Sequence, residues 1–578
     1  MVAAAWPGLA GVRGQPALGP QLRDRLAHGA DGVARRGAFV RMSSIASQPL
    51  FVVCGASLGG VAAAWRLCES GRRVLLAAEH DWLGGQLTAQ AVPPDEHALI
   101  ELGGATASYR RFREALRDHY RADPAFIDRA ELTEGCNPGD GWVSRLCVEP
   151  RVAAELLEAW LAPHVQAGRL RIARGVVPVQ ARREGRRILS LTLRNRHGQD
   201  EEVHGRWFFD ATDTGELLRH AGLRYRLGKE AADSFGEADA PPLANPLDQQ
   251  PVTAVMALRL MPRATAVQQP ARPPEDYAHW RQAHLPGYGH ALFSLQMPGA
   301  GPGQVASLPL FGTGQTLDWW RYRRIVARSQ WRVPRHEVSL VNWAQNDFAQ
   351  HPLLDGPLPE HEVAAAARRL SLCLLHWLRT EAPRADGGRG HPELVPASDM
   401  LGTPDGLAQQ VYVRESRRIV GLSTLTQCDI IAAGADSLPL NRSDSVGTVW
   451  YPMDIHPTCV SGRGANARVR PFTLPLGSFI AADCDNLLPA CKNLSVTHLV
   501  SACTRVHPAE WLAGEVAALL AHEADTRQFA LAQLHASAAE LRSLQTALVA
   551  AGVPIRWTDE EAARAAAIVG HHAEPSMP

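Results

Sequence analysis

One stretch limits what this chain can become more than any other: Phe51 to Thr88, FVVCGASLGGVAAAWRLCESGRRVLLAAEHDWLGGQLT. Phe51 to Cys54 is a short apolar run that predicts a buried parallel strand, and Gly55 ends it at a sharp turn. Val61 to Leu67 predicts a helix whose Ala62, Ala63 and Ala64 can lie close to a sheet, with Gly71 as its C-terminal stop. Val74 to Ala78 is the next strand, and Glu79 falls at its carboxyl end, 19 positions beyond Gly60. That spacing suits an acid that accepts hydrogen bonds from a ribose, while the helix start takes a pyrophosphate on its free N–H groups and positive dipole end. Against the pattern GxGxxG the residues are Gly55, Ala56, Ser57, Leu58, Gly59 and Gly60, so Ser57 stands where the middle glycine belongs. Serine narrows the approach to the pyrophosphate, and its hydroxyl can donate to a phosphate oxygen instead. A glycine turn alone is often only a turn; the whole unit with Glu79 in place points to a dinucleotide.

The segment that follows, Leu83-Gly84-Gly85-Gln86-Leu87-Thr88, resembles the LGGQLT signature of the FAD-dependent oxidoreductases among the glutathione-reductase-like flavoproteins. The resemblance implies that Gly84, Gly85 and Gln86 pass under the flavin, which favours FAD over NAD. Further blocks occur in the family's order. Asp210-Ala211-Thr212-Asp213-Thr214-Gly215-Glu216-Leu217 resembles DATGxGDL, which implies that Ala211, Thr212 and Asp213 return to the cofactor. Asp213 replaces a glycine there, and either it or Thr214 can equally serve as a helix N-cap. Asn137 to Ser144 is similar to NPGxGWVS, as a plain loop or a substrate contact. Trp319 to Ile325, Val338 to Phe348 and Arg414 to Gly421 resemble the YRRI, NWxxND and RESRRIxG segments. By order in the chain, a strand near Val177 would meet the adenine.

The closing stretch, Leu487 to His498, then Arg505, then Gly514-Glu515, resembles NLLVAGRxISATH, Arg and GEAAG, with Cys491-Lys492 in place of Gly-Arg. The resemblance implies that Gly514 and Glu515 meet the cofactor and that the helix after Pro508 aims its N-terminus at the flavin. His498 and Arg505 then fall beside the ring as proton donor or acceptor and fixed cation; a backbone-held histidine and a structural ion pair are the plain alternative. Tyr451 to His456 sets Asp454 and His456 two apart on one side of a strand, too few ligands for a metal site, although Asp454 can orient His456 as an acid or base.

Composition narrows the class. With 59 basic and 59 acidic side chains in 578 residues, no overall field draws the chain to nucleic acid or anionic lipid. Arginine supplies nearly all the positive charge, lysine occurring only at Lys229 and Lys492. No run approaches the ~20 apolar residues of a membrane helix. Ten cysteines without a CxxC pair fit reduced thiols in a cytoplasmic protein. Residues 1 to 47 read as a disordered, arginine-rich leader, with Met42 an alternative start.

The chain is therefore expected to be α/β. Residues 48–238 and 469–523 form a Rossmann-like FAD-binding domain with a parallel sheet, 239–468 an inserted mixed α+β substrate domain built largely of strands, and 524–578 a helical C-terminal extension. The aromatic-rich pieces Trp319 to Ile325 and Val338 to Phe348 are expected as strands, and HGQDEEVHG at 197–205 as a solvent-facing turn. The expected function is transfer of a hydride from a small-molecule substrate to flavin N5, with the electron acceptor open. The competing expectation is an FAD-binding scaffold without redox turnover.

Overall fold

The computed structural model describes residues 50–571 apart from 128–135, 264–271, 286, 288, 299–304, 313–316 and 432–437. The expected leader and the last residues of the expected C-terminal extension, 572–578, lie outside the described residues. The glycine unit forms as its sequence dictates. Strand β1 (Leu50–Cys54) has Phe51 to Cys54 fully buried, because the sheet is covered on both faces and no polar side chain is tolerated on either. Helix α1 (Leu58–Glu69) begins three residues earlier than the apolar run suggests, since Ser57 accepts from the Gly60 amide and caps it. Strand β2 (Arg73–Ala78) pairs in parallel with β1.

Helix α2 (Ala107–Arg121) buries Phe112, Leu116 and Tyr120 on one face, and α3 (Pro150–Gln166) leads into β3 (Leu170–Arg174) beside β2. Three antiparallel strands follow: β4 (Val176–Glu184), β5 (Arg187–Asn195) and β6 (Asp200–His204). The acidic run expected at a turn is thus the strand β6; its outward charges are solvated while Val203 packs inward, and the turn itself shrinks to residues 196–199. Strand β7 (Trp207–Asp210) returns beside β1 and feeds a short helix, α4 (Glu216–His220).

The middle of the chain holds a four-stranded antiparallel sheet of β8 (Met256–Leu260), β9 (Arg324–Val326), β10 (Val338–Val341) and β11 (Leu394–Pro396), in the order β9-β10-β8-β11. Between β10 and β11, the 21-residue helix α5 (Glu360–Thr380) turns fully buried Leu370, Leu374 and Leu378 toward this sheet's core. Trp319–Tyr322, expected as strand, is a single helical turn because Asp318 accepts from the Arg321 amide and caps it.

The last third rebuilds the first. Strand β12 (Ser445–Val449) pairs with β14 (Phe472–Pro475) across the expected division at 468/469, with β13 (Met453–Ile455) between them in sequence. Strand β15 (Leu487–Pro489) then joins β7, completing a five-stranded parallel sheet in the order β15-β7-β1-β2-β3. Helix α6 (His498–Thr504) leads to α7 (His507–Arg527), whose residues 507–521 are all buried. A helix buried on every side belongs inside a core, and its buried Glu510 and Glu515 need partners there. Helices α8 (Ala538–Ala550) and α9 (Asp559–His571) close the chain, with Leu544, Leu548 and Trp557 buried against the nucleotide domain. Among the described residues no helix is long and apolar enough to cross a membrane.

Candidate active site

A cleft of about 580 Å³ opens at the carboxyl ends of β1, β2 and β7, where an open parallel sheet binds its ligand. It is lined by Gly55, Ser57, Glu79, Gly85, Val177, Thr212 and Asp213 from the expected set, and by residues 409–411 and 413 from the middle of the chain. Glycine is required at 55: φ is +96°, and a Cβ there would sit 2.1 Å from the Ala211 carbonyl oxygen. Ala211 is therefore the floor against which the turn packs. Gly59 and Gly60 lie behind the cleft and serve close approach, since a Cβ would stand 1.9 Å from the Ala490 oxygen and 2.1 Å from the Gly55 oxygen respectively. Gly84, at φ +108°, donates its amide to Ala56 and brings the LGGQLT turn against the glycine bend. Glu79 follows β2 with its side chain 59% exposed and its Oε2 3.8 Å from His80 Nε2.

The charges around the bend are paired. Asp213 and Lys492, both departures from the family pattern, form a buried ion pair. Burial pulls the Lys492 ammonium down, but Asp213 and Glu510 overrule it and hold the lysine charged. Glu510, fully buried, accepts from the Gly59 amide at 3.3 Å and from Gln86 Nε2; burial pushes its carboxyl up. Gln86 also donates to the Arg505 carbonyl at 3.1 Å, and its own Oε1 has no protein donor. Gln86 of the LGGQLT turn thus reaches the backbone of Arg505, 419 positions further along the chain.

The remaining expected residues take other positions. Gly514 sits at the crossing of α7 over α1, where a Cβ would meet the Gly59 oxygen at 1.9 Å, and Glu515 pairs with Arg66 and accepts from Ser108 at 2.6 Å. Neither lines the cleft; both fasten the helix that presents the bend. His498 starts α6, and its backbone N and Nδ1 both lie 2.9 Å from Glu230 Oε2. Burial would raise the Glu230 carboxyl, but Arg418 and His498 draw it down to about 2. Arg505 reaches Tyr412 Oη and the Asp454 carboxylate, the latter at 3.2 Å.

A second polar group adjoins Arg505. His456 Nδ1 contacts Asp347 Oδ2 at 2.5 Å and its Nε2 lies 3.4 Å from Asp454 Oδ2; Arg414 pairs with Asp347 at 2.9 Å. Burial and Arg414 lower the His456 pKa, yet the two carboxylates prevail and raise it. The sequence placed Asp454 with His456; Asp347, 109 positions away from His456, carried no signal of this contact. No cluster of three or more metal-binding side chains occurs among the described residues.

A five-stranded parallel sheet with a glycine bend, an acid after its second strand and a cleft at its carboxyl edge defines a Rossmann-type dinucleotide-binding domain. The sequence pattern of the FAD-dependent oxidoreductases matches residues 51–548, and the chain belongs to that family. Its cofactor is FAD, and the cleft fits it: an exposed acid, Glu79, follows β2 on its lining, and the bend at Gly55 leaves no room for a Cβ. No curated protein matches the chain. Among solved structures, CabE, an aromatic hydroxylase from angucycline biosynthesis, is 14% identical over 91% of this chain and 76% of its own, with a TM-score of 0.32. AlpK is 12% identical over 91% and 74%, with a TM-score of 0.31. The myxobacterial chondrochloren halogenase CndH is 15% identical over 39% of this chain, with a TM-score of 0.20, and the match spans 45% of its length.

Proposed function

We propose that this chain oxidises a small organic substrate by hydride transfer to the flavin. FAD bound in the cleft supplies the hydride acceptor at N5. Glu79 would hold the ribose, Val177 the adenine, and the start of α1 with Ser57 and Thr212 the pyrophosphate. Gly85 and Gln86 would support the flavin end, with the Gln86 Oε1 as an acceptor for a ring N–H. The Asp213–Lys492 pair leaves that region near neutral, so the α1 dipole retains its attraction for phosphate.

His498 is the proposed proton acceptor. Glu230 on Nδ1 fixes the tautomer and orientation of the ring and leaves Nε2 basic. Arg505 is the proposed fixed cation, held in place by Tyr412 and Asp454. The inserted region 239–468 is the proposed substrate-bearing part. The observation that carries the reading is the cleft at the glycine bend, whose lining includes both Glu79 and Gly85. Anaerobic mixing of the yellow protein with candidate small molecules tests it: loss of the visible flavin band supports substrate oxidation. A protein that retains FAD and is reduced by none of them overturns it in favour of a scaffold.

A further inference from the structure

The extended segment 409–414 has two sides. Gln410, Val411 and Val413 line the FAD cleft, while Tyr412 and Arg414 alternate with the two valines and engage the polar group around His456. That group contains buried donors without acceptors. Arg414 is 3% exposed and its Nε is unpaired, as is the Nε of equally buried Arg505. Asn342 is 4% exposed, and its Nδ2 is unpaired while its Oδ1 lies 3.4 Å from Arg414 Nη2. A buried N–H with no acceptor keeps its full desolvation penalty, so three in one group call for a partner.

Arg323, Arg414 and Arg505 face Asp95, Asp347 and Asp454 one to one, and His456 lies between Asp347 and Asp454, so no carboxylate of the group is left to satisfy the unpaired donors. Asp454 and His456 are the open side, with side chains 27% and 23% exposed. Resting on the substrate-oxidation reading above, we propose that the substrate is a carboxylic acid. Its carboxylate would be seated by Arg414 Nε, Arg505 Nε and Asn342 Nδ2, next to the wall of the FAD cleft. A planar carboxylate matches the planar guanidinium donors, which a tetrahedral phosphate does not.

The FAD-loaded full chain is titrated with acetate, propionate and benzoate, with the matching amides and with inorganic phosphate. Binding is read from the flavin absorbance change and the thermal midpoint. The acids are expected to bind saturably and the amides at least tenfold more weakly. Asn342→Leu is expected to weaken acid binding about tenfold with FAD retained. Arg414→Lys keeps the pair with Asp347 but withdraws Nε, and is expected to do the same if the leucine variant fails to fold. Amides binding as well as acids, phosphate binding in their stead, no acid binding, or variants binding unchanged would each overturn the proposal. A protein that binds acids yet is never reduced by them supports this site and sinks only the oxidation reading.

Discussion

Replacing Gly514 by alanine is expected to destabilise the protein, and the sign is the informative part. In an ordinary helix interior the change favours folding by up to about 1 kcal/mol, because glycine loses more backbone freedom. At position 514 the added Cβ would lie 1.9 Å from the Gly59 oxygen, 2.6 Å from its carbon and 2.8 Å from its Cα. To reach ordinary contact near 3.4 Å the helices must separate by about 1.5 Å, and both are backbone surfaces with no side chain to rotate away. Overpacking of this kind costs about 3 kcal/mol at the upper end of its usual range, roughly a hundredfold in the folding equilibrium. Because α1 carries the bend, the loss should appear both in urea unfolding and in weaker FAD retention. A variant as stable as the parent, or more so, would refute the helix-crossing argument and return Gly514 to a direct role at the cofactor.

Lys492→Met should cost about 3–5 kcal/mol in chemical denaturation, because it strands a buried Asp213, and Asp213→Asn in the same chain should recover most of it. Glu79→Ala is expected to lower FAD affinity about tenfold or more by fluorescence titration, since a hydrogen bond to a charged group is worth about 1.5–3 kcal/mol. The Glu230 carboxyl, at 4.5 when free and about 2 here, contributes stability that is complete above pH 4.5 and is lost as pH falls toward 2. Glu230→Gln should therefore cost about 3 kcal/mol at pH 7, with the gap to the parent closing between pH 4.5 and 2 in acid titrations of stability.

What could be read from the sequence was what neighbouring residues decide. The β1–α1–β2 unit was legible because its strand and glycine turn are local, and it supplied the cleft residues Gly55, Ser57 and Glu79, while the family blocks supplied Gly85, Thr212 and Asp213. Ser57, Asp213 and Lys492 stood out as single oddities. Only the fold shows that two of them neutralise each other across 279 positions and that the third caps α1. Gly514 and Glu515 resembled cofactor residues because a family motif records where residues recur, while helix packing and ligand contact both call for small residues. The Asp347–His456 contact was hidden for a different reason: pairing between distant side chains leaves no trace in one sequence. The strand β6 was masked by its charges, which an edge strand can carry outward at little cost.

The position of β15 sets a timetable for synthesis. Its Leu487 must lie beside Phe208, close to 280 residues earlier in the chain. At about 5–20 residues per second, a ribosome delivers that edge roughly 15–55 s after β7 has emerged. Through that interval the β7 edge of the nascent half-sheet keeps its backbone N–H and C=O groups unpaired on one flank, so chaperone demand during translation should peak before residue 487 and fall once it is released.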